Sequence, residues 1–180
     1  MSEIAETLSR MASFFEGEGI DYMVIGGYAL PLYGRIRATL DIDVAVSTAG
    51  EEEHRAFIEA AEDAGYTVTH GSFRNPVCLF LDRVTGYEIE VWSRPDGVKW
   101  DTETLGRRRK AEIAGTSLWI ISPEDFIVSK LARPDRGVTD EQDVKSVLKR
   151  MDATLDWRYL RERAEQAGVW ALLDTIRNVS

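Results

Sequence analysis

The chain is poor in what disulfide-bonded, membrane-spanning or nucleic-acid-coating proteins are made from. Its 180 residues hold a single cysteine, Cys78. No intramolecular disulfide can form, and the usage fits a reducing cytoplasm. No apolar run approaches the roughly 18 residues of a bilayer span, so no membrane is expected as a partner. The first residues, MSEIAETLSRMASFFEGEG, are acidic and amphipathic rather than basic and then apolar, unlike a secretory leader. Cations are in deficit: 22 Lys and Arg against 31 Asp and Glu give a formal net charge of −9. An extended nucleic-acid face, which needs clustered Lys and Arg, is therefore not expected. The one basic run, Arg107-Arg108-Arg109-Lys110, reads as a solvated helix end, with a local contact to a triphosphate or an RNA end as the alternative. There are only two histidines. His54 is expected on a charged helix face and His70 at a strand end, neither as a metal ligand.

What is present is a globular core and a change of pattern along the chain. Hydrophobic residues make up 44%. Ile4, Leu8, Met11 and Phe15 recur at helical spacing and predict a helix over about 3–18, stopped by Gly17 and Gly19. DYMVIG reads as a strand, Gly26-Gly27 as a turn into a short helix closing near Gly34, and LDIDVAV as a second strand. An amphipathic helix over 51–64 stops at Gly65. YTVTH, VCLFLDR and YEIEVWS read as strands, the last two separated by a turn at Thr85-Gly86. AEIAGTSLWIIS reads as a hairpin turning at Gly115-Thr116. From Ser122 the pattern is helical: Ser122 can cap a helix that Pro123 begins, and Pro134 and Gly137 break it. Thr139 to Gln142 has the spacing of a capping box for the next helix, and helices at about 156–166 and 169–177 finish the chain. The expected fold is α/β (α+β): a mixed sheet with flanking helices over 1–121, then a C-terminal helical region over 122–180 packed on it. Cys78, within VCLFL, is expected as a small buried apolar residue, and the five tryptophans as core or half-buried.

Two aspartates interrupt the apolar alternation of LDIDVAV, although Asp is depleted in strands. Asp41 and Asp43 are two residues apart and would share one face, roughly 6–7 Å apart along the backbone. A divalent cation is the simplest way to hold two such carboxylates together. Mg²⁺ commonly takes one or two protein carboxylates and completes its shell with phosphates and waters. An edge strand with a polar face is the bland alternative. Gly26-Gly27 follow a strand and open a helix, where a bare backbone can approach an anion and the helix N-terminus offers free N–H groups. Arg35 and Arg37 lie between these features and are candidates to neutralise phosphate charge. A third carboxylate is expected for a two-ion site. In YEIEVWS, Glu90 is preferred because Ile89 and Val91 flank it, with Glu88 as the fallback.

The stretch GGYALPLYGRIRATLDIDVAV resembles the glycine-pair, Arg-x-Thr, Asp-x-Asp signature of the polymerase-beta-like nucleotidyltransferase superfamily. SPEDFIVSKLARPDRGVTDEQDVKSVL resembles a second block of the AbiEii-type members, some of which are toxins of toxin–antitoxin systems. The first block is also similar to the small antibiotic nucleotidyltransferases. The resemblance implies a nucleotidyltransferase-like fold and a metal-dependent enzyme. It would transfer a nucleoside monophosphate from an NTP to a hydroxyl acceptor (a tRNA end, a protein or a small molecule) and release pyrophosphate. It implies that Gly26, Gly27, Arg37, Thr39 and Lys130 bind the nucleotide, and that Asp41, Asp43 and Glu90 hold Mg²⁺ or Mn²⁺. Glu90 stands where the family usually has an aspartate. Lys130 matches the lysine that touches the triphosphate, and Asp143, or else Asp140, matches the acidic residue of the last motif. A non-catalytic nucleotide-binding or toxin–antitoxin interaction protein, with a possible antitoxin partner, is the alternative that keeps the same fold.

Overall fold

The structure, a computed structural model, describes residues 2–69 and 71–179. His70 lies outside the described residues. By the density of its internal contacts the chain divides into two units, 1–28 with 39–94 and 109–120, and 29–38 with 95–108 and 121–180.

The first unit is built on a seven-stranded mixed sheet. Its strands are β1 (Tyr22–Val24), β2 (Ile42–Val46), β3 (Tyr66–Thr69), β4 (Val77–Asp82), β5 (Glu88–Trp92), β6 (Arg109–Ile113) and β7 (Thr116–Ile120), in the order β3-β4-β5-β2-β1-β7-β6. β2 runs parallel to β5 and β1 parallel to β7, and the other neighbours are antiparallel. Period-two alternation sorts the strands' faces. Ile89 and Val91 of β5 and Cys78 and Phe80 of β4 are buried, while Glu88, Glu90, Leu79 and Leu81 on the opposite face are not. The buried residues include Leu8, Met11 and Phe15 of helix α1 (Glu3–Gly17) and Phe57 of helix α3 (Glu51–Asp63). Phe14, Phe15, Tyr22, Phe57, Tyr66 and Phe80 make a chain of rings with centroids 5.1–6.2 Å apart. Tilted ring contacts of this kind add to the apolar burial itself.

Helix α2 (Gly26–Tyr33) begins in the first unit and ends in the second. The second unit also holds α4 (Thr102–Arg107), α5 (Pro123–Ala132), α6 (Val138–Met151), α7 (Trp157–Gln166) and α8 (Trp170–Val179). Ser122 caps α5 as expected, its Oγ accepting from the Asp125 N–H at 3.0 Å, with Pro123 in the first turn. Tyr33, at the end of α2, donates its hydroxyl to the Ile121 carbonyl at 2.7 Å and packs edge-on against Phe126.

Three local expectations are corrected. The α6 cap is Gly137, not Thr139: the Asp140 carboxylate reaches back to accept the Gly137 N–H at 3.1 Å, so the helix starts at Val138. The β6–β7 hairpin turns at Ala114-Gly115, not Gly115-Thr116. Both residues have positive φ, +50° and +84°, the pairing that a two-residue turn demands between right-twisted strands. The basic run is divided: Arg107 ends α4 and Arg109 opens β6. Arg107 is tied down, at 2.8 Å to Asp156 and 3.8 Å above the Tyr159 ring, so it is not a freely solvated helix end. Cys78 is buried and all five tryptophans are half-buried, as expected.

Candidate active site

Two clusters carry the expected residues, one in each unit. In the first unit β1 ends at Val24, and the Ile25 N–H still donates to the Asp43 carbonyl at 2.9 Å. The strand pairing therefore runs up to the point where the chain turns into α2. Gly26 makes that turn with φ +62°. A Cβ built on it would fall 2.0 Å from Asp43 Oδ2 and 2.9 Å from Asp43 Cβ, and one on Gly27 would fall 2.4 Å from Thr39 Oγ1. The diglycine is thus required twice, for a left-handed backbone and for contact with the side chains of Asp43 and Thr39. Only glycine lets the start of α2 lie directly on the Asp43 carboxylate.

Asp43 is the one residue of β2 that is not buried. In the parallel β2–β5 register Asp43 pairs with Glu90, so the two side chains stand beside each other on one sheet face. The register brings Glu90, not Glu88, level with Asp43. Glu88 lies two residues away on the same face and is exposed. Asp41 stands one residue ahead of β2 and is exposed, so it belongs to the loop leading into the strand rather than to the strand. The Thr39 hydroxyl reaches the Asp41 carbonyl at 3.5 Å. Tyr28, unremarked in the sequence, belongs here too. Burial, then the neighbouring Tyr87 and Asp41, push its phenol above the ordinary value, so it is a protonated hydroxyl beside Asp41. The signal available was its place one residue after the diglycine.

Among the described residues no three His, Cys, Asp or Glu side chains are gathered into a metal-holding group. The donor set nevertheless suits a hard divalent ion. Asp43 and Glu90 are lateral neighbours with Asp41 just ahead, all oxygen ligands, and Mg²⁺ needs only one or two of them from the protein. His54, expected on a charged helix face, does not lie on one. It is buried, with Nε2 3.8 Å from Cys78 Sγ. Burial, then Arg94, lower its pKa, and burial raises that of Cys78. A neutral imidazole faces a neutral thiol.

The second unit's cluster centres on Asp143, which is completely buried. Arg35 donates to its Oδ1 at 2.8 Å, Arg37 reaches both oxygens at 3.2–3.4 Å, and Lys130 Nζ lies 3.7 Å away. Lys130, itself 5% exposed, makes its closer contact with Asp140 at 3.0 Å. Burial works against the Asp140 carboxylate, but the Gly137 N–H, Lys130 and Arg133 outweigh it and hold its pKa below the usual range. Lys130, Asp140 and Asp143 are therefore brought together, joined by Arg35 and Arg37. The pairing of these arginines with Asp143 was not legible, because more than 100 residues of chain separate the partners.

Residues 4–169 match the family described as "Nucleotidyl transferase of unknown function (DUF2204)". No curated protein matches the sequence. Solved structures of similar fold include an antigenic nucleotidyltransferase-like protein from Paracoccidioides brasiliensis, with a TM-score of 0.56 and 18% identity over 98% of this chain and 92% of that one. The lincosamide antibiotic adenylyltransferase LnuA, lincomycin-bound, has a TM-score of 0.53 and 17% identity over 82% and 96%. The antibiotic-resistance factor ANT(2'')-Ia has a TM-score of 0.57 and 18% identity over the full length of both chains.

Proposed function

The chain belongs to the DUF2204 nucleotidyl transferase family, and from that premise we propose that it transfers a nucleoside monophosphate from a nucleoside triphosphate to a hydroxyl acceptor and releases pyrophosphate. One observation carries this reading: the Asp43 carboxylate lies against the bare start of α2 while Glu90 stands level with it on the next strand.

The chemistry follows from those residues. The first N–H groups of α2 have no intrahelical partner and suit the phosphates, with no side chain on Gly26 or Gly27 to hold an anion away. Asp41, Asp43 and Glu90 would hold a divalent cation, which when bound supplies positive charge against the phosphate oxygens. The acceptor's hydroxyl oxygen attacks the α-phosphorus and forms a new P–O bond. The bond from that phosphorus to the bridging oxygen breaks, and pyrophosphate leaves with the electron pair. Glu90 is assigned the hydroxyl proton, a role open to a carboxylate within hydrogen-bond reach of the attacking group. A net charge of −9 draws cationic small molecules rather than RNA. The lincomycin-bound structure of LnuA and that of ANT(2'')-Ia with adenylyl-2''-tobramycin support a small-molecule acceptor.

The test is incubation of the protein with each α-labelled triphosphate and Mg²⁺ or Mn²⁺ in a cell extract, followed by identification of the labelled species. Label should pass to a small molecule. Label on a tRNA end or a protein would change the acceptor and keep the reaction. Asp41→Ala and Asp43→Ala should each lower transfer by at least about a hundredfold, the usual cost of losing one electrostatic contact to the transition state. Undiminished labelling in both variants overturns the proposal.

A further inference from the structure

We propose that Asp143 is the positioning residue of Arg37, setting the plane of its guanidinium to take a phosphate group. The identity of the anion rests on the function proposed above, whereas the positioning rests on geometry alone.

Asp143 has no solvent-exposed surface, and both its oxygens are taken by N–H donors from Arg35 and Arg37. A metal ligand or general base needs an open lone pair facing substrate. A carboxylate enclosed by two guanidiniums acts through them. The two arginines differ in what else holds them. Arg35 is fixed from three sides: its Nε meets Asp143 Oδ1 at 2.8 Å, its Nη1 meets Gln142 Oε1 at 2.9 Å, and its Nη2 meets the Thr139 carbonyl at 3.4 Å. Its backbone N–H is held by Ser146 Oγ at 3.0 Å, and that hydroxyl donates to the Asp143 carbonyl at 2.6 Å. Arg35 would keep its place without the Asp143 carboxylate. Among the described residues, Arg37 has only Asp143 and the carbonyl of its own neighbour, Ala38, at 3.3 Å. Its side chain is 28% exposed. A guanidinium has five N–H donors in a fixed plane, and these contacts leave some of Arg37's for an outside partner.

The charges point the same way. One carboxylate faces two guanidiniums, and Lys130 is drawn off to Asp140. A surplus of positive charge is thus built into a chain whose net charge is −9. A planar fork whose angle is set by a buried acid meets a phosphate with two parallel hydrogen bonds, the strong and directional form of the contact.

The experiment is a calorimetric titration of the full-length protein with inorganic tripolyphosphate, without metal or acceptor. If Asp143 mattered only as a negative charge, Asp143→Asn would tighten anion binding. Positioning predicts the opposite sign, a weakening of about tenfold or more, as for the loss of a charge-assisted contact. Asp143→Glu keeps the charge that the arginines need but shifts them by a methylene. It should stay folded by circular dichroism and also weaken binding, so the test survives if the asparagine variant does not fold. Arg37→Gln should weaken binding as much, Arg35→Gln less, and Arg37→Gln should add little on top of Asp143→Glu, since coupled residues are not additive. Unchanged or tighter binding in the Asp143 variants overturns the proposal, as does a wild-type protein that does not bind tripolyphosphate. Transfer of α-label without tripolyphosphate binding would defeat this inference and leave the enzymatic reading standing. Asp143-dependent binding without any transfer would do the reverse.

Discussion

Gly26 shows how much can depend on a missing side chain. At φ +62°, with a notional Cβ 2.0 Å from Asp43 Oδ2, Gly26→Ala meets both backbone strain and a collision with the carboxylate to which the proposed chemistry is assigned. Strain at such a position costs of order 1–3 kcal/mol. The variant should lose about that much stability in a urea titration and lose transfer more severely, because Asp43 must move. Full transfer in a stable Gly26→Ala protein would separate the diglycine from the acid. The residues of this cluster were legible in sequence because each broke a local rule: acids in an apolar strand, and glycines between a strand and a helix. Tyr28 and the burial of His54 were not, since an aromatic and a histidine at helical positions break none. Asp143 could be singled out as an acid, but its partners could not be read, because Arg35 and Arg37 meet it through tertiary folding.

Elements with strong periodicity or punctuation were read well. α1 ends at Gly17, α3 stops just before Gly65, and α5 begins at the Ser122-Pro123 signal. The seven strands fall on the runs read as strands. What failed was fine chemistry at the ends. Ala114 adopts a left-handed conformation that propensity gives to glycine, and Asp140 caps α6 from inside the helix. The short α4 was missed because its six residues carry no apolar stripe, and what holds it is polar. Asp101 Oδ1 accepts the Thr104 N–H at 2.9 Å and is itself bound by Arg163 at 2.8 Å. The Arg163 hydrogen bond is the chief reason that the Asp101 pKa falls from 3.8 to about 2, burial opposing it and Thr104 adding to it. A depressed carboxylate contributes stability above its unfolded value and loses it as pH falls through its folded value. This contribution is therefore complete above about pH 4 and lost toward about pH 2. After solvent screening it amounts to about 1 kcal/mol. Asp101→Asn should be less stable than the wild type at neutral pH, and the gap should close on acidification. A constant gap from pH 7 to 2 in chemical denaturation would place the cost in lost packing instead.

At the scale of the whole molecule, the second unit takes in more than the C-terminal helices. It gathers residues 29–38 and 95–108 as well as 121–180. Leu30 is fully buried and Tyr33 nearly so, and Tyr33's partners Ile121 and Phe126 arrive late in the sequence. A fragment ending at residue 121 should therefore expose apolar side chains of α2 and bind a hydrophobic dye such as ANS. A fragment that is monomeric, cooperative in melting and dye-silent would show the sheet unit to be independent. Composition and charge forecast none of this, because a helix's apolar face does not announce which later helix will cover it. The Tyr33–Ile121 hydrogen bond spans 88 residues. At ribosomal speeds of roughly 5–20 residues per second, the end of α2 emerges about 4–18 seconds before its acceptor. For that interval the newborn polypeptide carries a greasy half-helix with nothing to rest on. A mutation at Leu30 or Tyr33 would then change chaperone demand during translation as well as the stability of the finished protein.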